Sequence, residues 1–75
     1  MNQTAIGSYI ARKRKEQNLT QEQLAEQLGV SNKTVSKWEN GKSYPDIHSL
    51  LLLSALFDVS LDQLIKGDLE TMKQE

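Results

Sequence analysis

Cysteine is absent, which removes disulfides and thiolate metal ligands together. A small chain must then hold itself together by packing and well-capped helices. Histidine occurs once, at His48, and reads as an exposed residue in the first turn of a helix. The carboxylates are scattered over capping positions and outer faces, so no nucleophile, acid/base pair or metal set forms, and neither catalysis nor a cofactor is expected. Aromatic residues number only four, too few to supply stacking platforms for splayed RNA bases. Trp38 is expected to face inward, and Tyr9 and Phe57, with Tyr44 as a further candidate, are taken up by packing. The longest apolar run, Leu50 to Leu53 followed after Ser54 by Ala55-Leu56-Phe57, falls far short of the ~20 residues of a membrane span. Met1-Asn2-Gln3-Thr4 lacks the basic-then-apolar order of a secretory leader. These absences favour a soluble, cytoplasmic protein without membrane contact or an apparent small-molecule ligand.

The 75 residues suffice for one domain, with apolar residues at 37% enough for a small helical core. Net charge is only -1, but it hides an asymmetry. Residues 1–45 carry seven basic and four acidic groups, whereas residues 46–75 carry two basic and six acidic. The first part is therefore the candidate for a polyanionic partner, although the run Arg12 to Lys15 reads equally well as a solvated helix face.

No stretch alternates with the period of two that a half-buried strand requires, so the chain reads as all-α, with five helices. Ile6, Tyr9 and Ile10 share one face of a first helix at about residues 4–17, which stops at Asn18, a residue tolerant of the left-handed conformation. Thr20 with Gln23 forms a capping box, with Leu19 and Leu24 as a hydrophobic staple, so the second helix begins at Gln21 and stops at Gly29. Ser31 caps a third helix that runs to about Asn40 and ends at Gly41, with Val30 and Val35 as its staple. Asp46 caps a fourth, whose wide apolar surface from Ile47 to Phe57 marks it as the central, most buried helix. Ser60 with Gln63, and Val59 with Leu64, open a fifth at about residues 61–66 that ends at Gly67. The domain thus spans 1–67, followed by a polar tail at 68–75.

The second and third helices are joined by a minimal turn. Leu24, small Ala25 and Leu28 face inward, Gly29 turns the chain, and Val30, Val35 and Trp38 follow at the spacing of a helix-turn-helix. At about 100° per residue, Asn32, Ser36, Asn40, Lys33 and Lys37 fall on one side of the third helix, with Thr34, Val35 and Trp38 opposite and Glu39 at the border. The polar side contains two lysines, two asparagines and a serine, and no carboxylate lies between them.

The ordered run Leu19-Thr20-Gln21-Glu22-Gln23-Leu24-Ala25, Leu28-Gly29-Val30-Ser31 and Val35-Ser36-Lys37-Trp38-Glu39-Asn40-Gly41-Lys42 resembles the phage-repressor (Xre/Cro-type) helix-turn-helix family. The likeness covers about residues 5–67, including Tyr44-Pro45-Asp46 and Val59-Ser60-Leu61-Asp62. It implies a compact lambda-repressor-like domain that inserts its third helix into the major groove of a roughly palindromic operator, commonly as a homodimer, and regulates transcription, most simply as a repressor. It also implies base contacts from Asn32, Lys33 and Lys37, with Ser36 as a lesser candidate, and phosphate contacts from Gln21, Ser31, Asn40, Lys42 and Arg14. Arg14 and Glu39 match an ion pair tying the first helix to the end of the third. Base chemistry suits these roles, since Asn pairs with adenine N6/N7 and Lys donates to guanine O6/N7.

A second reading is a protein-interaction module, such as an antitoxin or a regulator fragment, docking a partner through the fourth and fifth helices. Leu61, Leu64, Ile65, Leu69 and Met72 would be its apolar contacts, with packing against the protein's own core as the alternative use of the first three.

Overall fold

Short hydrogen-bonded devices set the helix boundaries. The computed structural model describes residues 3–67 and contains, among them, five helices and no strand: α1 Gln3–Glu16, α2 Gln21–Leu28, α3 Asn32–Glu39, α4 Ile47–Phe57 and α5 Leu61–Lys66. Both expected capping boxes are present: Thr20 Oγ1 accepts from the Gln23 N–H at 3.0 Å while Gln23 accepts from the Thr20 N–H, and Ser60 and Gln63 repeat the arrangement. Ser31 and Asp46 cap α3 and α4 by accepting from the N–H of Thr34 and Ser49. Asn18 ends α1 in the left-handed region at φ 60, and Gly29 ends α2 at φ 74, where a side chain is disfavoured. Asp58 closes α4 in the same conformation at φ 56, a device the residue type alone did not signal.

Ile6, Ile10, Leu24, Val35, Leu53 and Leu64 are fully buried, and Tyr9, Ala25, Leu28, Trp38, Leu50 and Phe57 complete one core drawn from all five helices. Leu19, Val30 and Val59 lean on it from the turns.

The expectation that α4 is the central, most buried helix is corrected. It buries Ser49, Leu50, Leu53 and Phe57, but Ile47 is 63% and Leu51 53% exposed. Its composition is apolar on all sides, whereas only one side meets the core. The most extensive helix–helix contact is instead that of α1 with α3. Gly7 lies in the interior of α1 with its backbone against the end of α3: a Cβ there would collide with the Trp38 carbonyl oxygen and sit 3.1 Å from that of Glu39. At the other end of α1, the Gln17 amide donates to the Leu56 carbonyl at 3.1 Å and ties it to α4.

Candidate nucleic-acid interface

The turn from α2 to α3 takes three residues. The Gly29 N–H donates to the Glu26 carbonyl and the Val30 N–H to that of Ala25, so these two carbonyls in the last turn of α2 are satisfied as the chain reverses into Ser31. Ser31 is tied up in capping: besides the Thr34 N–H, its hydroxyl shares a 3.0 Å hydrogen bond with the Thr34 hydroxyl.

Val35 and Trp38, at 0% and 3% exposure, key α3 onto the core. Asn32, Lys33 and Lys37 stand exposed on its outer side, and Ser36 is half-buried between them. The amide of Asn40, also exposed, donates to the Ser36 hydroxyl at 3.2 Å. Lys42 follows one turn beyond Lys37, held by its own N–H donating to the Lys37 carbonyl at 2.8 Å. Among the described residues neither Lys33 nor Lys37 is paired with a carboxylate, whereas Arg12 and Lys13 pair with Glu16, and Lys66 with Asp62.

Glu39 is the nearest acid in sequence to that outer side, and it turns inward. Its carboxylate accepts from Arg14 Nε at 2.8 Å, from Arg14 Nη2 at 3.1 Å and from the Gln21 amide at 2.9 Å. Arg14 also donates to the Leu19 carbonyl at 2.8 Å. With the Arg14 and Glu39 side chains only 11% and 6% exposed, this three-helix knot is sheltered from solvent. Arg14 thus spends three of its five N–H donors in the knot, in the ion pair that the family resemblance implies. Gln21, held at the first residue of α2 by Glu39, keeps one amide N–H and its carbonyl oxygen beyond that bond.

Tyr44, a candidate for packing from sequence, is instead 42% exposed between α3 and α4. The apolar contacts of the interaction-module reading divide: Leu64 is fully buried, Leu61 packs partly against the core, and Ile65 is 44% exposed. Leu69 and Met72 lie outside the described residues. Gly7 was missed from sequence; its signal was a glycine inside a helix, where it costs about 1 kcal/mol relative to alanine and so calls for a packing reason. No described helix is long and apolar enough to cross a membrane.

Residues 10–64 match the helix-turn-helix family model. The HTH-type transcriptional activator BcrR of Enterococcus faecalis is 57% identical over 51 residues, which cover 68% of this chain and 25% of BcrR. Repressor protein C2 of Salmonella phage P22 is 39% identical over 69 residues, covering 92% of this chain and 32% of C2. The chain therefore spans a quarter to a third of the length of these two relatives. The crystal structure of the P22 c2 repressor in complex with a synthetic operator superposes with a TM-score of 0.78 at 38% identity, covering 84% of this chain and 96% of that one.

Proposed function

The chain belongs to the helix-turn-helix family, and from that premise we propose that it binds duplex DNA at an operator and regulates transcription, by binding rather than by catalysis. The observation that carries this reading is the outer side of α3: Asn32, Lys33 and Lys37 are exposed together, and the one acid of the helix, Glu39, is drawn inward by Arg14 and Gln21. A cationic ridge on a rigid helix, about 10–12 Å across with its side chains, fits a major groove about 12 Å wide.

In this reading α3 enters the groove with Asn32, Lys33, Ser36 and Lys37 towards base edges. Gln21, at the first turn of α2, Ser31, Asn40 and Lys42 face flanking phosphates and set the register. Ser31 offers chiefly its backbone, since its hydroxyl is engaged in the α3 cap. Two copies bind a roughly palindromic operator as a homodimer, with half-sites about one helical turn or a multiple apart. Occupancy of a promoter blocks access to it, so repression is the simplest consequence of this binding. Its place of action is then the cytoplasmic compartment that holds the operator.

The test is selection of bound duplexes from a random library, run with the parent and with Asn32→Ala/Lys33→Ala/Lys37→Ala. A palindrome enriched by the parent and lost in a variant that keeps its helical circular-dichroism spectrum is the expected result. Equal enrichment by both proteins would remove α3 from the reading.

A further inference from the structure

The chemistry of the α3 face restricts which operators it can read. A lysine ammonium donates hydrogen bonds and accepts none. Lys33 and Lys37 project from the same exposed side, and among the described residues neither has a carboxylate to hold it elsewhere. Ser36, between them, accepts from the Asn40 amide, which leaves its hydroxyl proton to be donated outward. No carboxylate shares the face, so cytosine, whose major-groove edge offers the N4 donor, finds only neutral side-chain acceptors there, the Asn32 and Asn40 carbonyls and the Ser36 hydroxyl. Adenine places an N6 donor beside its N7, which opposes a lysine. Guanine alone presents two acceptors, O6 and N7, side by side.

Four residues of α-helix rise about 6 Å, less than two base steps of about 3.4 Å. Resting on the proposed operator binding, we infer that each half-site carries two guanines, on either strand, one to two base-pair steps apart, one read by Lys33 and the other by Lys37.

The experiment measures binding of the parent, Lys33→Met and Lys37→Met to the selected operator, to operators with each guanine replaced by 7-deazaguanine, and to operators with each G·C pair replaced by A·T. 7-Deazaguanine preserves pairing and the minor groove and removes only the N7 acceptor. For the parent, the A·T replacement should weaken binding roughly 5- to 150-fold at each of the two positions, and 7-deazaguanine about fivefold. Lys33→Met should abolish sensitivity at one position only, and Lys37→Met at the other. Methionine keeps most of the aliphatic stem, and neither side chain contributes to the core, so both variants should fold. An enriched half-site without guanines at this spacing, or indifference of the parent to 7-deazaguanine, would overturn the inference while leaving operator binding in place. Failure to enrich any duplex would overturn both.

Discussion

Glu39 of α3 and Arg14 of α1, 25 positions apart, form a two-point ion pair with Nε to Oε2 at 2.8 Å and Nη2 to Oε1 at 3.1 Å. The same carboxylate holds Gln21 at the start of α2, so one side chain fixes the mutual placement of three helices. Both members of the pair are largely sheltered, at 11% and 6% side-chain exposure. Removing one partner leaves an uncompensated charge there. Glu39→Ala should cost about 3 kcal/mol, and at about 4 °C or more per kcal/mol in so small a domain the melting temperature should fall by at least about 12 °C. Arg14→Met/Glu39→Leu, which removes both charges, should recover most of that loss. A circular-dichroism melt of Glu39→Ala matching the parent would show that the knot contributes nothing to stability.

Gly7 and Trp38 bring the backbones of α1 and α3 into direct contact. Alanine is the better helix former by about 1 kcal/mol, yet its methyl group would run into the Trp38 carbonyl, and backbone cannot rotate away. Gly7→Ala should therefore destabilise by about 3 kcal/mol, in the range of overpacked cores. Gly29→Ala meets open space and strains only the positive φ, at about 1 kcal/mol. Urea unfolding that ranks the two in the opposite order would contradict the close approach.

Much of this architecture is legible in the sequence, for definite physical reasons. Thr20 with Gln23, Ser60 with Gln63, Asn18 and Gly29 act through neighbours a few residues away, so local sequence suffices to place them. Gly7, the Gln21 bond to Glu39 and the Asn40 bond to Ser36 depend on helix packing or on a choice of rotamer, which spacing does not specify. The misjudged burial of α4 has a related cause. When a helix is apolar on all sides, periodicity is silent about which side meets the core.

Asp46 carries a pH dependence. Hydrogen bonds from the Ser49 hydroxyl and then the Ser49 N–H hold its carboxyl below the ordinary value of 3.8. A depressed folded value means that the stabilisation is present above the unfolded value and lost as pH falls through the folded one. Asp46→Asn keeps a capping acceptor but does not titrate. Thermal melts over the acid range should show the parent more stable above pH 4 and the two proteins converging as the carboxyl protonates. A constant gap at all pH values would assign the cap no ionic component.

Ile47 and Leu51 lie one turn apart on the exposed side of α4, at 63% and 53% exposure. Most of their surface is already in water, so Ile47→Ser/Leu51→Ser should change stability by no more than about 1 kcal/mol, against the 2–5 kcal/mol that truncating fully buried Leu53 to alanine should cost. Comparable losses in the two melts would mean that α4 buries its outer side after all.

Lys42 and Lys33 should separate affinity from specificity. Lys42 sits beyond the end of α3, anchored through its N–H to the Lys37 carbonyl, where the proposed docking puts a phosphate and not a base. Each phosphate neutralised contributes about 0.9 to the slope of log affinity against log salt. Lys42→Ala should lower that slope by about one and weaken all sequences alike, because a phosphate carries no sequence information. Lys33→Ala should instead narrow the gap between the selected operator and a scrambled duplex by about 1–3 kcal/mol. The mild net charge of -1 makes these local contacts decisive, since long-range attraction to DNA is weak. Titrations in which Lys42→Ala changed sequence preference while Lys33→Ala changed only the salt slope would reverse the assignment and place the carboxyl end of α3, not its amino end, against the bases.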